Sequence, residues 1–235
     1  GSGEVITCRP GASTDPGEPR GSDVLVVFVK STATEAAARQ FAPLAGQDTI
    51  AVTLQNGLGN EAILRKHFGE GRTAAGVTSQ GATFLGPGRI RHAGRGPTHI
   101  AMAGGSHRKL VPFATALAQA GFETHVEDDV AGLVWSKLVV NVGINALTAL
   151  VNRPNGRLLD LEETRSLVAD LVAEAVAVAK ARGVTLTYAD PLQTVYDVAK
   201  KTGANRSSML QDFDRRRETE IAARPLYLEV ALEAG

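Results

Sequence analysis

The pattern of apolar residues changes character near Val130, and that change restricts the chain to a two-part architecture. From Asp23 onward, short β-branched runs alternate with helical stretches, the signature of an α/β layer built on a largely parallel sheet. Residues 24–29 read as a buried strand, residues 34–44 as a helix, and residues 49–54 as the strand that closes a right-handed β-α-β unit. Further strands are expected at 73–78, 89–92, 98–102 and 123–126, with a helix at 108–120 and a turn at Gly86-Pro87-Gly88. Beyond Val130 every periodic segment is helical. Leu167, Leu171, Val172, Val176 and Val178 outline a helix over 161–182 that stops at Gly183. Asp190-Pro191 opens another, with Asp190 as N-cap, and Ser207 or Ser208 caps a last one. The boundary is placed so that residues 1–129 form an α/β unit and residues 130–235 an all-helical one.

Charge and cysteine content narrow the partners. Among 235 residues, 25 Lys and Arg balance 25 Asp and Glu, so no basic footprint for nucleic acid exists. Arg215-Arg216-Arg217 is followed at once by Glu218 and Glu220 and reads as a solvated helix face. A single cysteine, Cys8, rules out an intramolecular disulfide and a cysteine metal framework; it fits a reducing compartment, and cytoplasm is the expected location. No uninterrupted apolar run approaches the roughly 20 residues of a membrane span, and the opening lacks a charged-then-apolar signal pattern. Residues 11–21 form the one Gly/Pro-rich stretch of low order.

Polar residues inside an apolar helix are the first candidates for chemistry. In the stretch from Trp135 to Asn145, Lys137, Asn141 and Asn145 recur every four residues and stack on one face. Their neighbours Leu133, Val134, Leu138, Val139, Val142 and Ile144 would bury most of the circumference, where an ammonium and two amides need polar partners. A pocket for a small polar ligand supplies such partners; a surface stripe on a half-buried helix is the competing reading. At the end of the strand over 49–54 stands Gln55-Asn56-Gly57-Leu58-Gly59, at the edge where open α/β sheets bind ligands. Asn56 there can bridge two ligands, or can simply belong to an Asn-Gly turn. Lys30 ends the preceding strand at the same rim. Asn155, in Pro154-Asn155-Gly156, follows the Lys/Asn/Asn helix by a short connection. Asn205-Arg206-Ser207-Ser208 offers an amide, hydroxyls and unpaired backbone N–H groups suited to a carboxylate, or a simple serine cap. Glu220, twelve residues past Ser208, falls near the same helix face; a lone glutamate on a charged helix reads as solvated.

Taken together, Lys30, Gln55-Asn56-Gly57, Gly76-Val77-Thr78, Trp135-Ser136-Lys137, Asn141, Asn145, Pro154-Asn155-Gly156, Ser207-Ser208-Met209-Leu210-Gln211-Asp212 and Thr219-Glu220-Ile221 resemble ketopantoate reductase (2-dehydropantoate 2-reductase) in residue type, order and spacing. The resemblance runs from about Asp23 to Ile221. It implies an incomplete Rossmann-like NADP(H)-binding domain followed by a helical substrate and dimerisation domain, a small 2-oxo acid as substrate, and a possible homodimer. By the same carry-over Lys137 is the general acid. Asn56, Asn141, Asn145, Asn155, Asn205 and Ser208 bind substrate, while Lys30, Asn56, Ala82 and Glu220 contact the cofactor. Departures from the family lie at the ends. Residues 1–21 contain no G-x-G-x-x-G turn for a pyrophosphate, and Ala222-Ala223-Arg224-Pro225 replaces a polar continuation, so both ends are expected to be cut. Two alternatives follow from these departures: a catalytically silent binding or dimerisation module, and a reductase of another 2-oxo acid.

Overall fold

The computed structural model describes residues 7–18, 21–104 and 106–221. Strands β1 (Val24–Val27), β2 (Ile50–Thr53), β3 (Thr73–Thr78), β6 (Thr98–Met102) and β7 (Thr124–Val126) form one sheet in the order β1-β2-β3-β6-β7. Strands β4 (Gly81–Gly86) and β5 (Arg89–Gly94) form a separate antiparallel hairpin. Helices α1 (Thr34–Phe41) and α2 (Asn60–Phe68) carry the chain from β1 to β2 and from β2 to β3, and both of those pairings are parallel.

The sheet is parallel at every pairing except one. Strand β6 lies antiparallel to β3, with Gly76 opposite Ile100 and Thr78 opposite Thr98. The reason is the connection: β4 and β5 fold back on themselves, so the chain re-enters the sheet at the end where β3 left it. Sequence periodicity carries no strand direction, and β4, whose residues are mostly exposed, has no apolar alternation to mark it.

Alternation along the strands feeds two cores. Ile50, Val52, Leu54, Ala74, Ile100 and Met102 pack against Leu110 and Ala114, on the side covered by α3 (Val111–Gln119). On the other side Val27 and Ala51 pack against Ala38, Leu64 and Phe68 of α1 and α2. Buried apolar area of this kind contributes on the order of 25 cal/mol per Å².

From Ala131 the chain is helical throughout its described length: α4 (Ala131–Val151), α5 (Glu162–Ala181), α6 (Pro191–Lys201) and α7 (Ser208–Asp214). Helix α4 is the axis of this half. Val139, Ile144 and Leu147 join Leu158, Val168, Val172, Val195 and Ala199 in a third core. Asn152, in the left-handed conformation at φ 50°, ends the helix. With 21 residues and a mean hydropathy of 1.5, α4 is long and apolar enough by length and composition to cross a membrane, although Lys137, Asn141 and Asn145 interrupt it, so no uninterrupted apolar run of that length occurs in it. Here that apolar surface is spent on α5, α6 and α7.

Caps place the last helices. Asp190 accepts a hydrogen bond from the Gln193 N–H at 2.9 Å, and Ser207, not Ser208, caps α7 through the Leu210 N–H at 3.1 Å. Asp190→Ala is expected to destabilise the fold by about 1 kcal/mol; urea titration with an unchanged midpoint would show that α6 does not depend on this cap.

Candidate active site

Helix α4 brings Lys137 to the end of β3, where its Nζ donates to the Thr78 carbonyl oxygen at 2.8 Å. No carboxylate pairs with it among the described residues, and burial lowers its pKa below the ordinary lysine value of 10.5. A desolvated ammonium held only by a neutral carbonyl gives up a proton more readily than one in water. Asn141 and Asn145 follow one and two turns later, and all three side chains are half-buried. Among the described residues neither amide has a side-chain hydrogen-bond partner, so both remain available to a ligand. On the flank of α4, buried Ser136 accepts from the Thr187 N–H at 2.8 Å and hydroxyl at 3.0 Å, which ties the helix to the segment after α5.

The carboxyl ends of β1 and β2 build a polar rim that the helical half reaches across. Lys30 Nζ lies 2.7 Å from Asp212 Oδ2 of α7, and the lysine is half exposed while the aspartate is buried. Ser31 donates to Glu220 Oε1 through its hydroxyl at 2.9 Å and its backbone N–H at 3.3 Å. Asn56 is exposed at the same rim, and its carbonyl accepts from Asn60 Nδ2 at 3.2 Å. Gly57 and Gly59 have φ of 84° and 87°, values open to glycine, and allow the loop to turn sharply into α2. Helical phase does not explain Glu220: α7 ends at Asp214, and the glutamate reaches Ser31 from the turn beyond. It is therefore no solvated residue on a charged helix. Arg215-Arg216-Arg217 likewise stands past the helix end, exposed, with Arg216 at φ 52°.

A second set lies where α4, α6 and α7 converge. Asn155 is buried; its N–H donates to the Asn205 carbonyl at 3.0 Å and its Nδ2 to Thr202 Oγ1 at 2.9 Å. Its Oδ1 is buried without a partner among the described residues, an acceptor that calls for a donor. Ser207 shares a hydrogen bond with Thr148 of α4 at 2.7 Å, while Asn205 and Ser208 are exposed beside it. Ala82 stands apart on the β4–β5 hairpin, exposed and opposite His92, with no polar contact to Lys30, Asn56 or Lys137 among the described residues. A cleft of about 470 Å³ runs from the end of β2, where Gln55, Gly57 and Gly59 line it, past Gly76 to Val134 and Trp135 of α4; Lys137 and Asn56 are not among its lining residues. Asp212 is the residue that single-residue reasoning missed: it is buried and paired with Lys30, and its place in Ser207-Ser208-Met209-Leu210-Gln211-Asp212 was the available signal.

Known proteins resemble this chain in sequence and fold. A family model described as "Ketopantoate reductase PanE/ApbA" matches residues 1–105, and its C-terminal counterpart, "Ketopantoate reductase PanE/ApbA C terminal", matches residues 129–224. A 2-dehydropantoate 2-reductase of Halobacterium salinarum is 37% identical over 220 residues, covering 93% of this chain and 72% of that protein. The chain belongs to the ketopantoate reductase family. Members are dinucleotide-dependent oxidoreductases, and the fold agrees with solved examples. The 2-dehydropantoate 2-reductase of Geobacter metallireducens superposes with a TM-score of 0.83 at 30% identity, covering 94% of this chain and 74% of that one. D-mandelate dehydrogenase in complex with NADH gives a TM-score of 0.76 at 25% identity over 85% of this chain and 68% of that one. In this member of the family the half-buried stripe of α4 and the polar rim beyond β1 and β2 meet through α7 and Glu220.

Proposed function

We propose that this chain reduces 2-dehydropantoate to (R)-pantoate with NADPH, with residues 1–129 holding the dinucleotide and residues 130–235 the substrate. The observation that carries the reading is Lys137, desolvated at the end of β3 in line with two amides that lack partners. The residues present suit a dinucleotide: Lys30 offers a cation for phosphate, and Asn56 an amide, at the carboxyl ends of adjacent parallel strands. No G-x-G-x-x-G turn occurs among the described residues, so the pyrophosphate is given no partner here.

When bound, the reduced nicotinamide supplies the hydride that becomes the new C–H bond at the ketone carbon. Lys137 donates its Nζ proton to the ketone oxygen as negative charge grows there, giving the alcohol and a neutral amine that regains a proton from solvent. Asn141 and Asn145 hold the hydroxyl and carboxylate of the 2-oxo acid, Asn155 Oδ1 accepts from a substrate hydroxyl, and Asn205 and Ser208 close over the carboxylate. Glu220, kept in place by Ser31, faces the cofactor side. Cys8, an exposed free thiol, suits a reducing compartment and supports a cytoplasmic location.

Consumption of NADPH by the purified chain, with and without 2-dehydropantoate and alongside NADH and other branched 2-oxo acids, tests the proposal directly. Oxidation that does not depend on added 2-dehydropantoate would defeat it. In the same assay Asn145→Ala is expected to raise KM for the 2-oxo acid about tenfold, the loss of roughly 1.4 kcal/mol of hydrogen bonding, with KM for the cofactor unchanged. The opposite pattern would take Asn145 out of the substrate site.

A further inference from the structure

Lys137 depends for its aim on a single peptide group. The Thr78 carbonyl accepts from its Nζ at 2.8 Å, and the N–H of that same peptide group, on Ser79, donates to the Pro97 carbonyl at 3.0 Å. Two short segments therefore meet here: residues 78–80, where β3 leaves the sheet, and residues 95–97, where the chain returns to β6. A methyl at Gly96 would lie 2.6 Å from Ser79 Cβ and 3.2 Å from Ser79 O, so only glycine allows this approach. Thr78 Oγ1 shares a hydrogen bond of 2.8 Å with Oγ1 of buried Thr98 and accepts from the Gln80 N–H at 3.3 Å. The Gln80 side chain completes the link. Its Nε2 donates to the Gly96 carbonyl, and its Oε1 accepts from His92 Nε2 of β5 at 2.6 Å. Outside this crossing stands the β4–β5 hairpin, on which Phe84 and Ile90 are 61% and 74% exposed.

We infer that Gln80 is a positioning residue for the proton donor: by joining the exit of β3 to Gly96 and His92, it holds the Thr78–Ser79 peptide group with its carbonyl toward Lys137. The inference rests on the reading of Lys137 as the acid. A backbone carbonyl is aimed only by the dihedrals on either side of its rigid plane, so a turn of that plane takes the oxygen off the ammonium. The Ser79 N–H resists such a turn only while Pro97 stays in place, and Gln80 grips the carbonyl of Gly96, the residue next to it. With this clamp closed, displacement of the exposed hairpin ends at residue 80; with it open, displacement reaches the carbonyl. The clamp calls for an amide, because one end donates to a carbonyl while the other accepts from an imidazole N–H. A carboxylate supplies only the second. A fixed carbonyl favours the ammonium form of Lys137, opposing the effect of burial.

Gln80→Met, which keeps side-chain length and removes both hydrogen bonds, tests this in the full chain labelled with ¹⁵N at lysine Nζ. The Lys137 signal is identified by its loss in Lys137→Arg. In Gln80→Met it is expected to titrate at lower pH than in wild type, while the other lysine signals and the melting temperature stay near wild type. With NADPH and 2-dehydropantoate, kcat is expected to fall about tenfold, its alkaline decline moving to lower pH, and KM for the 2-oxo acid to change less than about twofold. His92→Ala opens only the exposed end of the clamp and is expected to move Lys137 in the same direction by less; it carries the test should Gln80→Met not fold. A Lys137 signal that titrates as in wild type, or moves toward 10.5, overturns the proposal. So does a shift shared by all the lysines together with a lowered melting temperature, which would mark general loosening. A downward shift confined to Lys137 with turnover unchanged would defeat the premise instead: the clamp would stand, and Lys137 would not be the acid.

Discussion

In the Lys137→Ala variant kcat is expected to fall by about 10²–10⁴, the contribution usual for a positioned proton donor, with substrate and cofactor affinities changed much less. The fold should survive, because the ammonium is a desolvated group held by one carbonyl and its removal takes away an electrostatic cost. The wild-type pH profile carries a second signature. Lys137 donates only while protonated, so activity should decline as pH rises through its lowered pKa, on the acid side of 10.5. Stability runs the other way. Between the lowered native pKa and 10.5 the unfolded chain binds the extra proton, so stability rises with pH across that window. Lys137→Met should flatten both dependences. Wild-type turnover in Lys137→Ala, measured at saturating substrate, would remove this residue as the acid.

Gly76→Ala is expected to cost about 3 kcal/mol or more and to leave little folded protein at physiological temperature. A methyl at that position would sit 2.2 Å from the His99 carbonyl oxygen and 2.8 Å from both Ile100 Cγ2 and Leu54 Cδ2. The nearest neighbour is backbone in β6, fixed by the antiparallel ladder from Ala74–Met102 to Thr78–Thr98, and cannot step aside without breaking it. Two residues on, the same strand presents the carbonyl that holds Lys137, so any residual folded protein should also lose activity. A thermal melt indistinguishable from wild type would mean that β3 and β6 are less tightly joined than this geometry requires.

Much of the geometry of the candidate site is legible in the sequence. The four-residue spacing of Lys137, Asn141 and Asn145 depends only on helical pitch, and α4 sets them on one half-buried face. The strand end at Lys30 and Asn56, the cap at Asp190 and the stop at Gly183 are local signals of the same kind. Glu220 was not legible. Its contact with Ser31 joins residues 189 positions apart and begins after α7 has ended, where no periodicity reaches. The pairing of Asp212 with Lys30 likewise joins residues 182 positions apart, beyond the reach of any local signal.

The sequence by itself determined the α/β half, the helical half, and the face of α4 that carries Lys137, because each rests on interactions between residues a turn or a strand pair apart. Tertiary structure alone decided the reversed direction of β6 and the burial of Asn155. It also decided which carboxylate meets Lys30 and which meets Ser31. Those features depend on where distant segments come to rest, and desolvation, edge pairing and ion pairing have no period along the chain.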